Sequence, residues 1–178
     1  MIDLFLERTF AAPFTVEVIA SLTHEALPCF ALHRVAWRGS LLSRDGCRLV
    51  CRFQAPDVES CRIALRQAKA DASRLWPGTV HEAPGETAEG PANANVLVER
   101  SFAQAVELAR IQALEDAGVG CLSDYRVRFV RTFFSCDARR MLCLYRAGDA
   151  ESVRQAQRQI GMPMDRVWAF QTILPPTT

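Results

Sequence analysis

The chain is short of the residues on which several common chemistries depend. Only three of its 178 residues are histidine, and Lys69 is its single lysine, so nearly all positive charge is carried by arginine. That bias reads as genome composition rather than as a site, although arginine remains the better residue for bidentate contacts. There is no CxxC pair, and the seven cysteines (Cys29, Cys47, Cys51, Cys61, Cys121, Cys136 and Cys143) are odd in number. This argues against both a disulfide framework and a zinc knuckle, and most of these thiols read as small core hydrophobes. Charge of one sign is also lacking: 21 Lys+Arg against 20 Asp+Glu leave a net charge of +1. No basic excess draws the chain to nucleic acid or an anionic membrane, and neither is expected as a partner. No stretch of about 18 residues is free of charge, and Met1 to Arg8 lacks the basic head and long apolar run of a secretory signal, so a cytoplasmic location is expected. A Gly-rich phosphate loop, HExxH, GxSxG and a Ser/His/Asp arrangement are all missing, which counts against conventional hydrolases and nucleotide enzymes.

What is present is repetition. LFLERTF, starting at Leu4, returns as VLVERSF, so that Glu7-Arg8 matches Glu99-Arg100 at an offset of 92 residues. At the same offset and without a gap, Arg34-Val35 meets Arg126-Val127, Trp37 meets Phe129, Arg48 meets Arg140 and Cys51 meets Cys143. Arg74-Leu75-Trp76 likewise meets Arg166-Val167-Trp168. Roughly three aligned positions in ten are identical, which marks two copies of one unit. HEAPGETAEGPANAN, residues 81–95, has no apolar period and reads as a linker between repeat 1 (1–80) and repeat 2 (96–178).

Within a copy the periods change in a fixed order. Leu4 to Phe10 alternates as a strand, and Phe14 to Ala31 has helical spacing with Thr15 as N-cap and Pro28 expected to kink or end the last turn. In the second copy Ser101-x-x-Gln104 resembles a capping box, and Gly118 or Gly120 a helix stop. Two strands then flank Arg44-Asp45-Gly46, a strong hairpin signal that the second copy replaces with the weaker Cys136-Asp137-Ala138. Asp57 can cap a second helix, and Arg74 to Val80 and Arg166 to Leu174 close the copies as last strands. The order βαββαβ predicts an α+β chain of two tandem ferredoxin-like units. Each leaves one sheet face bare of helices, so the expected packing is an intrachain pair resembling a dimeric α/β-barrel, with a small-molecule pocket between the sheets. Pairing of each unit with another chain is the alternative, so monomer and homodimer both stay open.

The runs ERSF and SCDARRMLCLYRAGDAESVRQAQRQIGMPMDRVW, with their first-copy echo, resemble a family of small bacterial proteins that includes a nickel-responsive, nickel-binding protein. The resemblance implies the ferredoxin-like fold. It also implies a pair of adjacent histidines on the first strand of the nickel-binding relatives, where this chain has Glu7-Arg8 and Glu99-Arg100. Imidazole suits nickel, whereas an arginine opposes a cation and can compensate a carboxylate. His24, His33 and His81 do not rebuild the histidine set, so no metal ligand and no cofactor are expected, nickel being the exception that the family raises.

The candidate ligand-binding residues are Glu7, Glu99, Arg8, Arg100, His33, Tyr125, Trp37 and Phe129. Adjacent strand residues point to opposite faces, so only one member of each Glu-Arg pair serves a given surface. A carboxylate on an apolar strand needs a cause: a general base, a ligand anchor, or an ion pair with Arg34/Arg126 or Arg48/Arg140. Trp37, Phe129, Trp76 and Trp168 can wall a pocket or simply pack. His33 and Tyr125, at the entrance to the second strand, can meet a ligand or solvent. The leading reading is a small-ligand-binding module. A cofactor-free monooxygenase or isomerase that uses a strand carboxylate is the first alternative, and a nickel-responsive protein the second.

Overall fold

The computed structural model describes residues 1–83 and 93–176. Residues 84–92 of the expected linker lie outside the described residues. The elements are β1 (Ile2–Thr9), α1 (Val16–Leu32), β2 (Ala36–Ser43), β3 (Arg48–Ala55), α2 (Val58–Gln67) and β4 (Leu75–Glu82). They recur as β5 (Val96–Ser101), α3 (Leu108–Ala117), α4 (Val119–Asp124), β6 (Arg128–Ser135), β7 (Arg140–Arg146), α5 (Ala150–Ile160) and β8 (Arg166–Ile173). The chain is thus a mixed α+β protein of tandem βαββαβ units. Its compact units are Met1–Gly78 with Gln171–Thr178 (unit 1) and Thr79–Phe170 (unit 2). Strand β4 takes in His81 and Glu82, the first two residues of the stretch read as linker.

In unit 1, β1 runs antiparallel between β3 and β4, with Leu6 opposite Cys51 on one side and Leu75 on the other, and β2 pairs with β3. In unit 2, β5 lies in the same way between β7 and β8, and β6 pairs with β7. The strand order β4-β1-β3-β2, repeated as β8-β5-β7-β6, is that of a ferredoxin-like sheet.

Alternation along the strands builds the core. Leu4, Leu6, Leu49, Cys51 and Phe53 face α1 and α2 and pack with Ile19, Phe30, Cys61 and Leu65. In unit 2, Val96, Val98, Met141, Cys143 and Tyr145 pack with Ile111, Leu122, Val153 and Ala156. Each fully buried Leu or Phe contributes about 1.5–3 kcal/mol over its exposed state. The strand residues of opposite phase are buried as well, among them Phe5, Val50, Leu97, Leu142 and Leu144.

Thr15 caps α1 by accepting from the Val18 amide, and Asp57 and Asp149 cap α2 and α5 from the Ser60 and Ser152 amides. Two expectations at helix ends are corrected. Pro28 does not end α1, which continues to Leu32; the carbonyl that proline leaves unpaired belongs to His24, an exposed residue. Ser101 opens no helix: it ends β5 opposite Arg140 and accepts from that guanidinium at 2.7 Å, whereas α3 starts at Leu108 with no side-chain cap. The second copy breaks its first helix at Gly118, where a Cβ would stand 2.6 Å from the Ile160 side chain.

The hairpins coincide despite their different sequences. Ser43 and Ser135 donate to Asp45 and Asp137, whose carboxylates then accept from the Cys47 and Arg139 amides. Gly46 takes φ +71, and Ala138 is driven to φ +57 at the matching place. The left-handed region costs a residue with a Cβ about 1–2 kcal/mol. Ala138→Gly should therefore raise stability by about 1 kcal/mol, read as a shift of the urea midpoint at constant slope; an unchanged or lower midpoint would refute the strain.

Candidate functional site

The two Glu-Arg pairs split across their sheets as the alternation requires. Glu7 and Glu99 stand on the face away from the helices, both buried. Trp76 Nε1 donates to Glu7 Oε1 at 2.8 Å, and Trp168 Nε1 donates to Glu99 Oε1 at 2.8 Å. Arg74 approaches Glu7 to 3.7 Å, and Glu99 is held by Arg140 at 3.2 Å and Arg166 at 3.6 Å. Of the arginine partners expected from sequence, Arg140 is placed on Glu99. Arg34 and Arg126 occupy the turns before β2 and β6, at φ +55 and +54. Sequence reasoning missed Arg74/Arg166 and Trp76/Trp168 in this role. The signal was there, because R-x-W recurs at the repeat offset beside a strand that carries a glutamate.

Arg8 and Arg100 point the other way, beneath the helices, and the two units treat them differently. Arg100 is fully buried. Its Nη2 donates to Gln157 Oε1 at 2.6 Å and to Tyr145 Oη at 3.3 Å, and lies 3.8 Å from Glu115 Oε1. Tyr145 in turn donates to Glu115 Oε1. Burial pushes the Glu115 carboxyl above its usual range, against the opposing pull of Tyr145 and Arg100, and burial also raises the Tyr145 hydroxyl. Among the described residues Arg100 Nε, Arg100 Nη1 and Gln157 Nε2 are buried without a partner.

Arg8, by contrast, lines a cavity of about 360 Å³ between α1, α2 and the sheet of unit 1. The walls include Leu6, Phe30, Trp37, Phe53 and Leu65, with Thr23 beside them and the exposed Glu25 and Lys69 at the rim. Arg8 sits 5.1 Å from the Phe10 ring centre and makes no ion pair among the described residues. Unit 2 has a cavity of about 370 Å³ lined by Glu115, Leu122 and Phe129, the repeat counterparts of Thr23, Phe30 and Trp37.

The remaining candidates scatter. Trp37 shares the unit 1 cavity with Arg8 and donates to Ser40 Oγ at 3.0 Å, so it is not joined to Glu7, whose indole partner is Trp76. Phe129 packs edge-on against Tyr145. His33 ends α1 with Nε2 3.0 Å from Gln67 Oε1, and Tyr125 ends α4. Burial pushes the Cys51 and Cys143 thiols up to about 11, which leaves them protonated and unreactive at neutral pH.

Both units are thus ferredoxin-like domains with a helix-covered cavity. The second is similar to the family described as "Nickel responsive protein SCO4226-like", whose profile it matches over residues 97–169. A comparison with curated proteins finds no match. Solved structures with the same fold include TA0507, provisionally assigned as a chlorite dismutase, at 8% identity and TM-score 0.51 over 96% of this chain and 93% of that one. Two variants of the chlorite dismutase from Candidatus Nitrospira defluvii are similar at TM-score 0.51. One, in complex with cyanide, is 14% identical over 95% of this chain and 90% of that one; the other is 13% identical over 95% and 91%. At these identities the likeness shows the fold alone.

The residues do not fit the nickel ion named by the family description. Glu99, at the expected position of the relatives' histidines, is wrapped by an indole N–H and two guanidinium groups, a set of donors that suits an anion. Among the described residues no three His, Cys, Asp or Glu side chains come together in a metal-binding group. Nor is any described helix long and apolar enough to cross a membrane.

Proposed function

We propose that the protein binds a small monocarboxylate with an apolar body, in the cavity of unit 1 that holds Arg8. One observation carries this reading: a guanidinium without an ion pair among the described residues stands in a cavity of about 360 Å³ that has apolar walls and polar Thr23, Glu25, Gln67 and Lys69 in its lining, while its repeat counterpart is surrounded by polar groups. A volume in this range is typical of small-molecule sites, where apolar walls supply affinity and a few polar groups set orientation. Arg8 and Lys69 against Glu25 leave the lining cationic, and the planar guanidinium matches a carboxylate in bidentate fashion. The enzyme reading that relied on a strand carboxylate has less support, since the Glu99 oxygens are already engaged by three donors.

Octanoate, with octanol as the same tail without its charge, tests the reading by titration calorimetry. Octanoate should bind once per chain, and Arg8→Gln should weaken it by about 10–100-fold, the worth of a charged hydrogen bond of roughly 1.5–3 kcal/mol. Octanol should bind as weakly to the parent protein as octanoate binds to the variant. Equal affinities for parent and Arg8→Gln would reject the assignment.

A further inference from the structure

The repeat offset permits a position-by-position comparison of the unit 1 cavity with the layer around Arg100, whose guanidinium does not line the cavity of unit 2. Much of the frame is kept. Arg8 corresponds to Arg100 and Cys51 to Cys143, and the hydroxyls of Ser40 and Thr132 donate to those thiols at 3.0 and 3.2 Å. Three neighbours of the arginine change together, each from a group that cannot compensate its charge to one that can contact it. Thr23 becomes Glu115, Phe53 becomes Tyr145 and Leu65 becomes Gln157. The three replacements converge on one atom, Arg100 Nη2, from three different elements, α3, β7 and α5. Glu115 lines the unit 2 cavity and also touches Arg100, which does not line it. The fit is incomplete: Arg100 Nε and Nη1 and Gln157 Nε2 remain buried donors with no acceptor among the described residues. A polar pocket assembled only for packing would leave few such donors, because each one costs free energy.

From this we infer that unit 2 is an anion site closed from within: the Glu115 carboxylate takes at Arg100 the place that a ligand's carboxylate takes at Arg8, so that only unit 1 binds ligand. The inference rests on the monocarboxylate reading of unit 1 and extends it. It assigns Thr23 as the residue that keeps the unit 1 site open, since a carboxylate at that helix position would ligate Arg8 from within the chain. It also fixes the stoichiometry at one ligand per chain despite two copies of the fold.

Reciprocal substitutions test it. Thr23→Glu should lose octanoate binding by at least 10-fold, whereas Thr23→Gln, of the same shape without the charge, should retain it. If Thr23→Glu binds octanoate as the parent does, or Thr23→Gln loses binding equally, the inference fails and the unit 1 reading stands. In unit 2 the probe is propionate, short enough to replace the deleted side chain, and Arg8→Gln is included to silence unit 1. Propionate should raise the melting temperature of Arg8→Gln/Glu115→Ala by several degrees more than equal concentrations of sodium chloride or 1-propanol, and should leave Arg8→Gln alone unmoved. If Glu115→Ala lowers stability so far that the chain melts near room temperature, propionate should restore a cooperative transition. No carboxylate-specific rise, or the same rise without the Glu115 substitution, overturns the inference. A parent protein that ignores octanoate while the double variant responds to propionate would reject the unit 1 reading and leave the closed site in unit 2 intact.

Discussion

Glu99→Ala is expected to lower stability by about 2–4 kcal/mol, and the reasons can be separated. The Trp168 indole N–H, on a residue only 9% exposed, loses its acceptor, and an unmet buried donor costs about 1–3 kcal/mol. Arg140 and Arg166 lose their shared counter-ion. That part is smaller, because Arg166 is half exposed and can return to water, while Arg140 keeps Ser101 at 2.7 Å and Asp165 at 3.8 Å. Glu99→Gln separates the two contributions, since an amide oxygen still accepts from Trp168 but carries no charge; it should cost about half as much. Glu7→Ala should cost less than Glu99→Ala, because Trp76 is only partly buried and water can reach its indole. Urea melts of the three single variants decide the order. A Glu99→Ala protein as stable as its parent would show that the indole and guanidinium groups find other partners, and would reopen the carboxylate as a functional group.

The periods that betray fold and the periods that betray partners differ, and the chain shows both. A repeat of 92 residues preserves strand phase, helix caps and hairpin aspartates together, so the order βαββαβ could be read from alternation and turn residues alone. Where an element ended was less visible. Ser101 has the spacing of a helix cap, yet pairing with Arg140 holds it in a strand, and local signals do not report a cross-strand neighbour 39 residues away. The candidate site was legible in part for the same reason. Arg8 and Trp37 both stand out in the sequence and share a cavity, whereas Glu7 faces away from them because it is adjacent to Arg8 on a strand. Glu115, Tyr145 and Gln157 carry no such signal, being isolated polar residues on apolar stripes. Their meaning lies in what replaces Thr23, Phe53 and Leu65 at the repeat offset, a comparison of differences rather than of identities.

Glu115→Ala should have the larger effect, a loss of about 3–5 kcal/mol, although the pair it breaks adds little net stability. Removing one member of a buried ion pair strands the other, and Arg100, fully buried and already with two unpartnered nitrogens, has no route to solvent. Replacing both members is a different matter. Unit 1 packs Phe53 and Leu65 at the places of Tyr145 and Gln157, so apolar side chains suit this layer, and replacing the whole polar set, Arg100→Met/Glu115→Leu/Tyr145→Phe/Gln157→Leu, should cost far less than Glu115→Ala alone. The pH dependence carries a sign that capping aspartates do not share. Burial holds the folded Glu115 pKa above its unfolded value of about 4.3. Folding therefore takes up a proton between the two values. The contribution of this group is fully present below the unfolded value and is lost as pH rises through the folded one. The depressed carboxyls of Asp57 and Asp149 behave oppositely: their contribution is present above the unfolded aspartate value and is lost as pH falls through their folded values. Glu115→Gln should accordingly gain on the parent as pH is raised from about 4 toward neutrality, a trend that urea melts across that range read directly. A constant difference between the two proteins would mean that Glu115 titrates as it does in the unfolded chain, its hydrogen bond from Tyr145 and its pairing with Arg100 fully offsetting the cost of burial.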